Sequence, residues 1–430
     1  MVYDSVETAP REELREIQDE RLRATVENAY ENVDYYRKEL DERGITPDDI
    51  DGVDDIGKLP FTTKEDFRDE YPTGLFARDM SDVIRIHASS GTTGKPKIVG
   101  YTQDDLDVWS QAVARCLVAA GVDGDDVVQN AYGYGLFTGG LGLHQGIEEI
   151  DATVIPIGGG NTQRQVELLD DLGSDVLTCT PSYSLYLAEV AEEMGIDVQD
   201  LPVRLILFGA EPCTDPMRYE IEERLGVKGV DIYGLSEIVG PGVSIECIEA
   251  QNGLHIWEDL FYPEVVDPGT GEPVAEGEEG ELVLTTLAKD AVPVLRYRTG
   301  DLTTLDYDTC ECGRTAVRMD NVTGRADDLL IVRGVNFYPS EVEDIVLEFD
   351  EVAPHYRIDL HREGNLDTVE LTVELIEGFD GAVDDLHGRI GTRLKNVLGF
   401  TPDDLNLVPY GDIARQETGK VQRVYDHRGQ

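Results

Sequence analysis

The chain has 430 residues, 40% of them hydrophobic, which is ample for a large core and long for one compact domain, so two unequal domains are expected. Its 36 Lys and Arg against 88 Asp and Glu give a net charge of −52, spread along the whole chain, a field that repels nucleic acid and anionic membranes. In molar salt the Debye length falls to about 3 Å, so a halophilic cytosol, where carboxylate repulsion is screened, is the expected setting.

Residues 11–43 are charged, with Leu14, Ile17, Leu22 and Val26 at helical spacing, which predicts half-buried helices. Short apolar runs then alternate with helical stretches: Asp126-Val127-Val128, Thr153-Val154-Ile155, Asp175-Val176-Leu177-Thr178 and Leu205-Ile206-Leu207-Phe208. That alternation predicts an α/β core with buried strands. After Gly253 the text changes to turn-punctuated strands, a β subdomain at about 250–320. Beyond Asp327 the order is strand, helix near 340–349, two strands flanking Gly364-Asn365, helix near 381–398, and a final strand. The expected architecture is therefore a large N-terminal α/β domain with a β subdomain, residues 1–326, and a small, mobile α+β C-terminal domain, residues 327–430. No stretch reaches the roughly 20 apolar residues of a membrane span, and Met1-Val2-Tyr3-Asp4-Ser5 lacks the basic and apolar parts of a signal peptide, so a cytoplasmic protein is expected.

Ser89-Ser90-Gly91-Thr92-Thr93-Gly94-Lys95-Pro96-Lys97 sets hydroxyls, glycines and two lysines between apolar runs, the groups a polyphosphate needs. It is not a Walker A loop, because the spacer before Gly-Lys is missing and Pro96 stands where a magnesium-binding hydroxyl belongs. As a bare pattern, a surface loop reads as well. The loop resembles that of the adenylate-forming superfamily of acyl- and aryl-CoA ligases, and similar motifs follow in order: Tyr233-Gly234-Leu235-Ser236-Glu237, Tyr297-Arg298-Thr299-Gly300-Asp301, Gly324-Arg325-Ala326-Asp327-Asp328 and Glu417-Thr418-Gly419-Lys420. Within the superfamily, Leu59-Pro60-Phe61-Thr62-Thr63-Lys64, Gly253-Leu254-His255-Ile256-Trp257-Glu258-Asp259 and Ile331-Val332-Arg333-Gly334-Val335-Asn336 look like the phenylacetate-CoA ligases. Related enzymes act on other aryl acids or adenylylate a deazaflavin cofactor.

The resemblance implies ATP, Mg²⁺ and coenzyme A as cofactors, a carboxylic acid as substrate, and a homodimer. It implies that Lys420 is the adenylation catalyst, bridging acid and phosphate. Arg415 and Arg423 flank it as a basic island. Ser90, Gly91, Thr92, Thr93, Gly94 and Lys95 would hold phosphate, and Ser236 the α-phosphate. Glu237 would bind Mg²⁺, which favours one or two carboxylates plus phosphate oxygens. Tyr233, with Gly234 beside it, would face adenine, Asp231 would accept from its amine, and Gly209-Ala210-Glu211-Pro212 would form the opposite wall. Asp301 would take the ribose hydroxyls with help from Arg325. Because Lys420 and the coenzyme A thiol need the same place, the family rotates its C-terminal domain; the hinge falls on Asp327, and Gly334 lines the thiol's path.

Tyr132-Gly133-Tyr134-Gly135-Leu136-Phe137 combines aromatics with small residues. Tyr134 and Phe137 read either as an aryl pocket or as core aromatics at a glycine-rich turn. Cys116, Cys179 and Cys213 sit in apolar text and are expected in the core. Cys310-Glu311-Cys312, with Cys247 and His255 flanking a reversal at Gln251-Asn252-Gly253, could supply three thiolates and an imidazole to a closed structural zinc site; four unpaired side chains are the alternative. Besides the ligase, the same motifs fit an adenylyltransferase that stops at the AMP adduct and a catalytically silent adenylate-binding protein.

Overall fold

The computed structural model describes residues 1–89, 95–326, 328–332, 335–363, 366–416 and 420–428. A nine-stranded sheet organises the first three quarters of the chain. Its neighbours run Leu305–Asp306, Arg318–Met319, Leu254–Ile256, Val239–Glu246, Lys228–Leu235, Leu205–Phe208, Val176–Cys179, Val127–Asn130 and Thr153–Ile155. From Lys228–Leu235 to Thr153–Ile155 the strands are parallel; the others pair antiparallel.

Leu205-Ile206-Leu207-Phe208 shows why an unbroken apolar run becomes an interior strand. Successive side chains point to opposite faces: Leu205 and Leu207 join a core with Trp109 and Leu143, Ile206 and Phe208 one with Val166 and Ile221. Each such side chain contributes roughly 1.5–3 kcal/mol of transfer free energy. The helix Gln103–Ala119 starts at a reciprocal cap, in which Asp105 N–H donates to Thr102 Oγ1 at 3.2 Å and Thr102 N–H to Asp105 Oδ2 at 2.9 Å. Leu106, Trp109, Val113 and Leu117 then recur at helical spacing and are all buried. Cys116, Cys179 and Cys213 are buried, as the sequence predicts.

A second antiparallel sheet joins Phe261–Val266, Gly280–Thr286, Tyr297–Thr303 and Gly324–Arg325. The C-terminal unit has a four-stranded sheet in the order Asp404–Val408, Leu366–Leu375, Val352–Glu363, Val424–Asp426. The helices Pro339–Val346 and Val383–Leu398 bury Val342, Ile345, Ile390 and Leu394 in a core shared with it. Two details depart from the sequence reading. The strand expected after Asp327 is a hairpin, Leu330–Val332 with Val335–Phe337. The single final strand expected is two strands on opposite edges, because Val424-Tyr425-Asp426 is too short and polar to register alone and is held by parallel pairing with Ile358–Leu360. Among the described residues no helix is long and apolar enough to cross a membrane.

Candidate active site

The hairpin Arg85–Ala88 with Ile98–Tyr101 carries the phosphate-loop segment, with Ala88 opposite Ile98. Ser89 N–H donates to Lys97 O at 3.0 Å, and Lys97 N–H to Ser89 Oγ at 3.2 Å. Ser90, Gly91, Thr92, Thr93 and Gly94 lie outside the described residues, as do Asp327 and Gly334. At the base of the loop the Lys95 ammonium stands 5.1 Å from the centroid of Tyr71, and Lys97 forms an ion pair with Glu237.

Glu237 is 3% exposed and also accepts from Tyr297 OH at 3.0 Å. A carboxyl group at such a depth needs donors and cations around it. Lys289, likewise buried, donates to the backbone oxygens of Glu237 and Ile238 at 2.8 Å each. Burial draws Lys289 down to about 8 against the pull of Asp105 and Glu237. Ser236 Oγ is 3.5 Å from Thr138 Oγ1.

Tyr233, Asp301 and Arg325 come from three motifs and meet here. Tyr233 OH donates to Asp301 Oδ2 at 2.6 Å, Arg325 pairs with Oδ1, and Arg325 also donates to Thr299 O at 3.1 Å. Pairing of Asp301 with Arg325 across antiparallel strands places these side chains side by side. Gly234 is dictated by packing: a Cβ there would lie 2.6 Å from Val239 O.

Gly209-Ala210-Glu211-Pro212 leaves the carboxyl end of the strand Leu205–Phe208, where ligands of open α/β sheets bind. A Cβ on Gly209 would stand 2.1 Å from Ile232 O, and Ala210 is held at φ 68°, a left-handed conformation costly for a non-glycine residue. Asp231 sits one strand away, opposite Phe208. Burial and then the charge of Glu246 push its carboxyl up to about 8, against Arg218. Its carboxyl therefore keeps its proton to a higher pH than an exposed aspartate does.

Tyr134 and Phe137 are partly buried. Tyr134 OH accepts from Asn130 Nδ2 at 2.9 Å and lies 3.2 Å from His144 Nδ1. Gly140 lets the chain fold tightly here, since a Cβ on it would lie 2.6 Å from Gly133 O.

Lys420 is exposed, and the residue after it is tied to the body, because Val421 N–H donates to Glu211 Oε1 at 2.7 Å. The other oxygen of Glu211 accepts from Ser182 Oγ at 2.6 Å. The basic island expected around Lys420 is corrected by the structure. Arg415 donates to Glu189 at 2.9 and 3.1 Å and to Glu374 at 2.6 and 2.9 Å, while Arg423 pairs with Glu343 at 3.3 Å. Both guanidinium groups are thus neutralised by buried carboxylates that lie far off in sequence. Burial alone would raise Glu189, but hydrogen bonds from His355 and Arg415 outweigh it and hold the carboxyl down to about 2.

Lys289, Thr138 and Glu189 escape sequence reading as site residues, whereas Lys97 and Tyr297 stand in motifs the sequence singles out, without a role of their own. Lys289 had a signal: a lysine inside the apolar run Thr286-Leu287-Ala288-Lys289-Asp290-Ala291-Val292 of a lysine-poor chain. Glu189 had none, since it is an ordinary acidic residue on the helix Pro181–Glu193.

These features define an AMP-binding, adenylate-forming enzyme. The AMP-binding enzyme family profile matches residues 6–287 and the AMP-binding enzyme C-terminal domain profile residues 334–428. The chain is 51% identical over 444 residues to phenylacetate-coenzyme A ligase of Thermus thermophilus, covering 100% of both chains. It is 49% identical over 430 residues to the Escherichia coli phenylacetate-coenzyme A ligase, covering 99% of this chain and 97% of that one. A solved 2-hydroxyisobutyryl-CoA ligase in its postadenylation state superposes with a TM-score of 0.92 at 29% identity, covering 98% of this chain and 91% of that one. The same enzyme in its thioesterification state, with coenzyme A, gives 0.73 at 30% identity and the same coverage. The chain belongs to the AMP-binding enzyme family, in the branch of the phenylacetate-coenzyme A ligases.

Proposed function

We propose that this chain is an ATP-dependent ligase that activates an aryl-acetic acid, phenylacetate foremost, as its acyl-adenylate and passes the acyl group to coenzyme A, releasing AMP and pyrophosphate. The observation that carries the reading is the meeting of Tyr233, Asp301 and Arg325 from three separate motifs. In the first half-reaction a carboxylate oxygen attacks the α-phosphorus and pyrophosphate leaves. Two anions approach each other, so the site must supply positive charge to the transition state. Lys420, exposed and anchored through its neighbour Val421, is the mobile cation for that step.

Asp301 and Arg325 hold the ribose, Tyr233 faces adenine, and the Gly209–Pro212 turn forms the other wall. Asp231 accepts from the adenine amine through a carboxyl oxygen. Ser90 to Gly94, Lys95 and Ser236 hold phosphate. Glu237 would hold Mg²⁺ through its buried carboxylate, the ion displacing the Lys97 ammonium that pairs with it here. The ion, when bound, offsets the charge of the phosphate oxygens. Tyr134 and Phe137 flank the ring of the acid.

In the second half-reaction the coenzyme A sulfur attacks the acyl carbon and AMP leaves. That requires residues 327–430 to turn on the body, residues 1–326, about Asp327, which withdraws Lys420 and brings Gly334 to the thiol's path. The family resemblance also supports a cytoplasmic homodimer. ATP–pyrophosphate exchange over phenylacetate, benzoate, indoleacetate and fatty acids in molar KCl tests the reading. Phenylacetate should give the highest rate, and AMP release should require coenzyme A. Exchange without coenzyme A-dependent turnover would leave an adenylyltransferase.

The net charge of −52 supports a salt-adapted enzyme. The expected result is a Tm that rises by about 5 °C or more between about 0.1 M and about 2 M KCl, as screening relieves carboxylate repulsion. A flat or falling Tm would remove the halophilic setting.

A further inference from the structure

Four potential metal ligands converge away from the nucleotide site. Cys247 follows the strand Val239–Glu246, and His255 lies in the antiparallel strand Leu254–Ile256 beside it. Cys310 and Cys312 occupy the connection between the paired strands Leu305–Asp306 and Arg318–Met319, and Arg318 pairs with His255. Neighbouring strands therefore present all four side chains at one place. Gly313, at φ 87°, turns the chain directly after Cys312 in a conformation glycine adopts freely. Cys247, His255 and Cys310 are buried.

The ligand atoms all lie within 4.8 Å of one another. Cys247 Sγ is 3.7 Å from Cys310 Sγ, and Cys312 Sγ is 3.4 Å from His255 Nε2. A tetrahedral zinc with Zn–S of about 2.3 Å and Zn–N of about 2.0 Å requires edges of about 3.8 Å between sulfurs and about 3.5 Å between sulfur and nitrogen. Both separations match. A disulfide is a poorer account, since bonded sulfurs lie about 2.05 Å apart and one pair would strand a third thiol and the imidazole.

A second cluster shows the contrast. Asp359, His361 and His427 also approach one another, but the Arg357 guanidinium bonds the Asp359 carboxylate at 2.6 and 2.5 Å and a cation is already in place. At the cysteine set the nearby buried guanidinium, Arg314, is bound to other groups: it donates to Glu7 Oε2 at 2.7 Å and to Met1 O at 2.5 Å.

We infer that Cys247, His255, Cys310 and Cys312 bind one structural zinc ion that fastens the 307–317 connection to the edge of the main sheet. Three thiolates and one imidazole fill all four positions, so the ion has no open site for catalysis. Its effect reaches the N-terminus, because Arg314 donates to Glu7, Thr315 N–H to Glu7 O at 3.0 Å and Thr315 Oγ1 to Ala9 O at 2.6 Å. The inference is independent of the substrate proposed above.

Elemental analysis of the purified full chain should find about one zinc per chain after EDTA dialysis, released in step with thiol modification by a mercurial. Cys310→Ser and Cys312→Ser should retain less than about a tenth of it, with ATP–pyrophosphate exchange by folded protein within about twofold of the parent. Should those variants not fold, the parent protein exchanged with Co²⁺ decides. Sulfur-to-cobalt charge-transfer bands and tetrahedral d–d absorption support the site, and their absence overturns it. A metal-free native protein, a disulfide among these cysteines, or iron in place of zinc would also overturn it.

Discussion

In Lys420→Ala, ATP–pyrophosphate exchange falls by about 100- to 1,000-fold, the loss expected when a charge aimed at a transition state is removed. Thioester formation from preformed acyl-adenylate stays within about twofold, because the proposed second step withdraws that lysine. The two half-reactions are measured separately, one by exchange and the other by thioester release from synthetic adenylate. Equal loss in both would contradict the division of labour. Lys420 is exposed, so removing its side chain leaves no cavity, and a drop in Tm is not expected to accompany the loss.

Arg415→Ala acts through a different link. It leaves the carboxylates of Glu189 and Glu374 buried without their shared cation, a change that costs about 3–5 kcal/mol for a buried pair. Both Tm and exchange should fall, because the network joins the helix Pro181–Glu193 of the body to the C-terminal unit. Glu189→Gln is the sharper probe, since it breaks only the contact across the boundary and leaves Arg415 with Glu374. Exchange should drop by about tenfold while thioester formation from preformed adenylate holds. A Tm loss with both half-reactions reduced alike would make the network purely structural. The pH sign follows from Glu189, whose carboxyl is held down to about 2 from an ordinary 4.5. Its stabilising contribution is complete above about pH 4.5 and is lost as pH falls toward 2.

The parallel strands were legible because both faces of Leu205–Phe208 are buried, which leaves an unbroken apolar run in the text. Tyr233, Asp301 and Arg325 were legible as motif residues, and the structure adds that they touch. The gathering of Cys247, His255, Cys310 and Cys312 was legible because a tight Cys-x-Cys and a glycine reversal both fall in the antiparallel part of the chain. What escaped reading depends on distant partners. Arg415 and Arg423 look like free cations until Glu189, Glu374 and Glu343 are seen beside them. Asp231 looks like an ordinary carboxyl until burial and Glu246, which raise it, are counted. The strand Val424–Asp426 exists through its pairing with Ile358–Leu360, and three residues of mixed character cannot announce that.

Glu211 spends one oxygen on Ser182 and the other on the backbone beside Lys420. On the proposed assignment, the residue that walls the base also sets the reach of the catalytic cation. Nucleotide choice and catalytic timing are therefore not independently adjustable at this position. A redesign of the wall to admit another purine would first appear as a slower chemical step, with binding of the new nucleotide intact.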